Sequence, residues 1–299
     1  MPLAAAAVVA IDIHVHPQTE EFIRAMGPRA AQMAAYFGRP ERKPVSFAEL
    51  ADRYRERKMM AVLLNTTQVT TSGDPGVAND VIARAVKDHP DVFVGFGVIE
   101  PQLGQLARDE VRRCAEELGL KGLGELNPGR QAFYPNDERY YPLWEEASRH
   151  KLVLLFHGGM MGAGAGTPGG MGYKLKYGRP IPYLDDIAAD FPDLRIIGAH
   201  PAWPWQEEAL AIARHKTNFY IDLSGWAPRY FPAQLVQYAG TILQDRVLFG
   251  SDWPVLDVER WLAEFEQLPI KPEVRPKIML ENARKLLGLE STGRADSGL

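Results

Sequence analysis

The chain has one cysteine, Cys114, among 299 residues, so no intrachain disulfide can form and the cysteine-rich ligand sets of structural zinc sites are excluded. Its 34 Lys and Arg against 38 Asp and Glu leave no basic excess, which argues against a nucleic-acid surface. No run of 18 apolar residues is present to cross a membrane. The opening MPLAAAAVVA lacks the basic stretch of a secretory leader and reads as the approach to a first strand. With its lone thiol inside the helical DEVRRCAEELG, the protein is expected in the cytoplasm. A nucleophile elbow of the GxSxG type is missing, which removes a serine hydrolase in spite of the HGG at 157–159. GAGTPG at 164–169 has the form GxGxxG but neither follows a strand directly nor opens a helix, so no dinucleotide site is read there.

What is present is an alternation. Eight short apolar runs occur: VVAIDIHVH at 8–16, MMAVLLNT at 59–66, VFVGFGVI at 92–99, LKGLGEL at 120–126, LVLLFH at 152–157, LRIIGAH at 194–200, NFYIDLSG at 218–225 and RVLFGSD at 246–252. Such continuous hydrophobicity belongs to parallel strands covered on both faces. Helical patterns lie between them, including SFAELADRYRERK, in which Ser46 and Glu49 have the spacing of a capping box. Eight β/α units without a break in composition predict an α/β protein, a single (β/α)8 TIM-like barrel over residues 1–290, with a flexible C-terminal tail over 291–299. Connections 17–45 and 158–180 are the longest and follow strands, on the side where barrels build active sites. The glycines of 158–172 read either as a flexible surface loop or as a mobile lid.

Reactive groups collect where the runs end. The two-residue repeat of a strand puts Asp12, His14 and His16 on one face. His14 and His16 close the first run, His157 the fifth, His200 the sixth and Asp252 the eighth, whereas His89, His150 and His215 sit at helix ends. Three histidines and a carboxylate at a barrel mouth suit one divalent ion, zinc or manganese, with a coordination position left open. Trp203 and Trp226, after the sixth and seventh runs, suit a flat conjugated substrate. Arg130, Arg179 and Arg229 could hold a carboxylate, Arg229 being the candidate taken forward, and Glu125 near the end of the fourth run is a further candidate contact.

The motifs DIHVHP, FHGG, GAHPAWPW, LFGSDWP and KIMLENARKLLGL resemble the amidohydrolase superfamily, in the amidohydrolase-2 branch that includes aminocarboxymuconate-semialdehyde decarboxylase and γ-resorcylate decarboxylase. The resemblance spans residues 8–289. It implies a distorted (β/α)8 barrel that holds one metal through His14, His16, His157 and Asp252, with His200 as acid/base or additional ligand, assembled as a homodimer or larger oligomer. Binuclear relatives carry a carboxylated lysine at the end of the fourth strand; Lys121 stands too early in its run, which favours a single ion. The implied function is a metal-dependent enzyme acting on a small carboxylated aromatic or unsaturated acid by non-oxidative decarboxylation, Asp252 or His200 delivering the proton. Hydrolysis of a lactone, ester or amide is the alternative reaction. A non-catalytic small-molecule-binding barrel around a structural metal is the alternative of another class. No nucleic-acid or membrane partner is expected.

Overall fold

Each apolar run forms a strand in the computed structural model, which describes residues 8–38, 43–73 and 76–289. The strands are β1 (Ala10–Val15), β2 (Met59–Leu63), β3 (Phe93–Gly97), β4 (Gly122–Leu126), β5 (Val153–His157), β6 (Arg195–Ala199), β7 (Phe219–Asp222) and β8 (Val247–Leu248). They pair in parallel in chain order. The wall closes where Ile13 N donates to Phe249 O (3.0 Å), His16 N to Trp253 O (2.8 Å) and Asp252 N to His14 O (2.9 Å). The structure is therefore a (β/α)8 barrel. The expected tail over 291–299 lies outside the described residues, among which no helix is long and apolar enough to cross a membrane.

Side-chain alternation along the strands sorts the core into two layers. Ile11, Ile13, Val62, Val94, Leu155, Ile197 and Leu248 pack together inside the barrel. Ala10, Val15, Leu63, Leu154 and Phe156 pack outward with helical residues such as Leu50, Trp144 and Trp261. The helix Phe47–Glu56 starts with the expected capping box, Glu49 N donating to Ser46 Oγ and Ser46 N to Glu49 Oε2. The first long connection is itself folded. It carries the helix Glu20–Met26, capped by Thr19, and the helix Pro28–Tyr36, which opens on its proline.

One expectation fails in β1. Asp12 pairs with Ala61 and Val15 with Leu63, so three steps of β1 oppose two of β2. The additional residue is a β-bulge, and it breaks the two-residue repeat that would have put Asp12 beside His14 and His16. Ile13 and His14 both turn into the barrel, while Asp12 turns out. There its Oδ2 accepts from Tyr54 Oη (2.7 Å) and Ser251 Oγ (2.6 Å), and its Oδ1 from Ser251 N (2.9 Å) and His14 N (3.2 Å). Burial pushes the Asp12 carboxyl up to about 6 against the pull of these donors.

Tyr54→Phe removes one donor from this buried carboxylate and keeps the ring. A hydrogen bond to a charged group contributes about 1.5–3 kcal/mol, and that loss is expected as a lower urea midpoint at unchanged slope. A loss under about 0.5 kcal/mol would show that the clamp carries no weight in holding the seam.

Candidate active site

The ends of β1, β4, β5, β6, β7 and β8 deliver one cluster of ionisable groups. His14 Nε2 lies 3.1 Å from His16 Nε2, and Asp252 Oδ1 lies 3.7 Å and 3.4 Å from these two atoms. Ligand-type atoms of His14, His16 and Asp252 all fall within 4.8 Å of one another, and so do those of His14, Glu125 and His200. His157 stands one step back from both groups, its Nδ1 2.6 Å from Glu125 Oε1 and 3.1 Å from His200 Nε2. Lys121 stands exposed before β4, at the opposite end of that strand from Glu125.

Residues not singled out beforehand orient this cluster. Asp222, at the end of β7, lies 3.0 Å from His14 Nδ1, and its other oxygen accepts from Ser224 N (2.8 Å) and His200 N (3.2 Å). Ser224 Oγ is 2.9 Å from His200 Nδ1 and 3.1 Å from His14 Nδ1. With Nδ1 engaged by Asp222, the Nε2 of His14 is left facing His16, the arrangement that metal-binding imidazoles adopt. Asp222 ends β7 but stands three residues short of the end of the apolar run NFYIDLSG, so the run's last residues do not mark it.

Burial opposes every charge here, and the neighbours decide which survive. Burial would lower His14, but the Asp222 carboxylate, with Asp252 and Glu125 behind it, lifts it to about 9. Burial would raise Asp222, yet His14 and His200 hold it at about 2. Burial, and then the charge of His14, keep His16 well below the ordinary imidazole value. Asp252 is pushed up to about 6, chiefly by burial. The set packs three buried carboxylates, Glu125, Asp222 and Asp252, among its imidazoles. Imidazole and carboxylate donors without thiolate fit a divalent ion of borderline or hard character. His157 Nε2 adds to that fit, since it is buried with no hydrogen-bond partner among the described residues.

Two of these residues occupy unusual backbone. His200 has φ 68° and Asp252 φ 60°, in the left-handed region that costs a non-glycine residue about 1–3 kcal/mol. Both are held there by their own N–H bonds, to Asp222 and to the His14 carbonyl. Gly225 is required beside them, because a Cβ there would sit 2.5 Å from His200 Nδ1.

The cluster floors a cavity of about 360 Å³. Trp226, Glu125 and Arg130 line it, Arg130 lying 3.2 Å from Glu125 Oε2. Trp203 does not line it; it is 45% exposed, with its ring 6.1 Å from that of Trp226. Arg229 is also outside the lining, paired with Glu264, and Arg179 is paired with Glu208 at 2.7 Å. Of the three candidate arginines only Arg130 reaches the cavity, because the turn Pro128–Gln131 carries it directly off the end of β4.

The glycine-rich connection after β5 is pinned. Gln32 Nε2 donates to Ala165 O (2.8 Å) and Gly162 O (3.3 Å), and Gln32 Oε1 accepts from Gly164 N (3.0 Å). Gly159 N donates to Gly178 O (2.7 Å) and Met160 N to Trp203 O (2.8 Å). Residues 159–165 therefore form an anchored roof, stapled to the helix Pro28–Tyr36.

A family model described as Amidohydrolase matches residues 11–289. The γ-resorcylate decarboxylase of Rhodococcus jostii (strain RHA1) is 25% identical over 259 residues, which cover 71% of this chain and 76% of that protein. Among solved structures, an uncharacterised TIM-barrel protein of Bordetella bronchiseptica matches with a TM-score of 0.73 and 24% identity, over 93% of this chain and 98% of that one. A dihydroxybenzoic acid decarboxylase of Polaromonas sp. JS666, solved with bound manganese and the inhibitor 2-nitroresorcinol, matches with a TM-score of 0.66 and 21% identity, over 95% and 98%. These two structural likenesses are likenesses of fold.

Proposed function

The chain belongs to the amidohydrolase family, and on that premise we propose that it is a metal-dependent decarboxylase of small aromatic carboxylic acids. The observation that carries this reading is the convergence of His14, His16 and Asp252 on the floor of a largely apolar cavity. The γ-resorcylate decarboxylase relative supports the reaction, and the manganese-bearing neighbour supports the cofactor. In this reading His14, His16, His157 and Asp252 hold one divalent ion, manganese or zinc. Bound there, such an ion would supply positive charge to an anionic substrate.

The remaining work falls to the chain. Asp222, 3.0 Å from Nδ1, orients the His14 ring so that Nε2 faces the site. Arg130, from its place beside Glu125, orients the substrate's polar edge. Asp252, on the floor of the cavity with its carboxyl raised by burial, is assigned as the general acid. Its proton passes to the ring carbon that bears the carboxylate, forming a C–H bond. The C–C bond to the carboxylate then breaks, its electron pair restores the ring, CO2 leaves, and Asp252 is reprotonated from water. His200, between Ser224 and His157, stands close enough to assist that proton. Incubation with a panel of hydroxybenzoates and lactones separates this reaction from hydrolysis: CO2 release supports decarboxylation, and ring-opening of lactones alone would replace it.

Three outcomes are expected. His14→Ala and His16→Ala should each lose most of the ion from metal-loaded protein, measured by elemental analysis; full occupancy in both variants would remove the ligand assignment. Asp252→Asn keeps shape and one acceptor oxygen but cannot carry the proton, so the variant should stay folded while turnover falls ~10²–10⁴-fold; near-normal turnover would move the acid role to His200. We further propose a homodimer or larger assembly in the cytoplasm, and light scattering should return at least twice the 33.3 kDa chain mass.

A further inference from the structure

The cavity is larger than the proposed chemistry needs, and its two halves differ. A cavity of ~150 Å³ holds a benzene ring, whereas this one measures about 360 Å³. The floor carries the histidines, Glu125, Asp252 and Arg130. The far half is lined by Phe22, Met26, Met33 and Phe37 from the first long connection and by Met160 and Met161 from the roof. Four of the chain's nine methionines thus face one space. The two cations in that half are already engaged, Arg29 with Ala25 O (3.4 Å) and Arg260 with Glu264 (2.9 Å). The wall is packed shut at its join, since a Cβ on Gly162 would touch the Phe37 ring at 3.0 Å.

We propose that the substrate is an aromatic acid bearing an apolar arm, alkyl or aryl, which fills this far half while the carboxylate sits on the floor. The inference rests on the decarboxylase reading for the carboxylate end and on the lining alone for the arm. A ring acid without an arm would leave the apolar side chains of the far half facing water. Methionine side chains are unbranched and adaptable, which suits a flexible arm better than a second rigid polar group. Met33 and Met161, which line the chamber from separate elements, are assigned as specificity-determining residues.

The test uses manganese-loaded protein and two matched series bearing hydrogen, methyl, butyl or phenyl para to the carboxylate or nitro group. The first is 2,6-dihydroxybenzoates, read by CO2 release; the second is the corresponding 2-nitroresorcinols, which have no carboxylate to lose, read by calorimetric Kd. Each methylene buried in the arm should tighten Kd and raise kcat/KM about threefold to fourfold. Met33→Trp, which fills the far half, should reduce the butyl-to-hydrogen ratio at least tenfold in both readouts. The wild-type series decides the matter by itself if that variant does not fold. Turnover of the unsubstituted acid with no gain from any arm overturns the inference and leaves the decarboxylase reading standing. Tighter binding along the nitroresorcinol series with no CO2 from any acid supports the inference and overturns the reading. An absence of both binding and turnover overturns both.

Discussion

The carboxylate of Asp12 joins the first strand to the far end of the barrel, and the candidate active site depends on that join. It accepts from Ser251 N and Oγ, 239 positions along the chain, and from the N–H of His14 in its own strand. Ser251 precedes Asp252 and His14 precedes His16, so one buried group sets the spacing between three of the proposed metal-binding side chains. The cost of bringing such distant segments together is entropic and grows only slowly with loop length. It is met by closing the wall, through the bonds Ile13 to Phe249 and His16 to Trp253. The site is thus a property of the closed barrel and not of any local motif, even though its histidines come in the compact form HxH.

Asp222 does on the inner side what Asp12 does on the outer. It orients His14 through Nδ1 and fixes the backbone of Ser224 and His200. Burying carboxylates and imidazoles this way is a poor route to stability, because desolvation consumes most of what the pairs return. The two left-handed residues, His200 and Asp252, add backbone cost at the same place. A fold that places these unfavourable features where its strands end, above a layer of Ile, Val and Leu, is using its core to hold a reactive arrangement in position.

Most of the frame was legible in the sequence because it rests on periodicity. Each of the eight apolar runs contains its strand, and Ser46 with Glu49 marked a helix start that the structure reproduces. The histidines and Asp252 were legible for a related reason: strand ends in a barrel share one rim. What could not be read was set by contacts between segments. The bulge in β1 depends on pairing with β2, so the two-residue repeat misplaced Asp12. Arg229 and Trp203 lie on loops after β7 and β6 as Arg130 does after β4, and nothing local distinguishes them. Only the ion pair with Glu264, and the exposure of Trp203, take those two away from the cavity. The anchoring of the glycine-rich roof was equally hidden, since it hangs on Gln32, more than 100 positions upstream.

That division also bears on how function is distributed over the fold. The floor comes from the ends of strands whose direction the barrel imposes, and its residues fall within the span that matches the family. The roof comes from two connections, the helices Glu20–Met26 and Pro28–Tyr36 and the segment 159–165, joined by the hydrogen bonds of Gln32. Gln32 and the Phe37–Gly162 contact bind them into one piece, so a change of side chain there reshapes the chamber without disturbing the floor. The donors converge at the floor, while the size and apolar character of the chamber are set by these loops. On the proposed reading, the residues that choose the acid are not the ones that hold the reacting carbon, so a relative that is 25% identical can share the reaction and take a different acid.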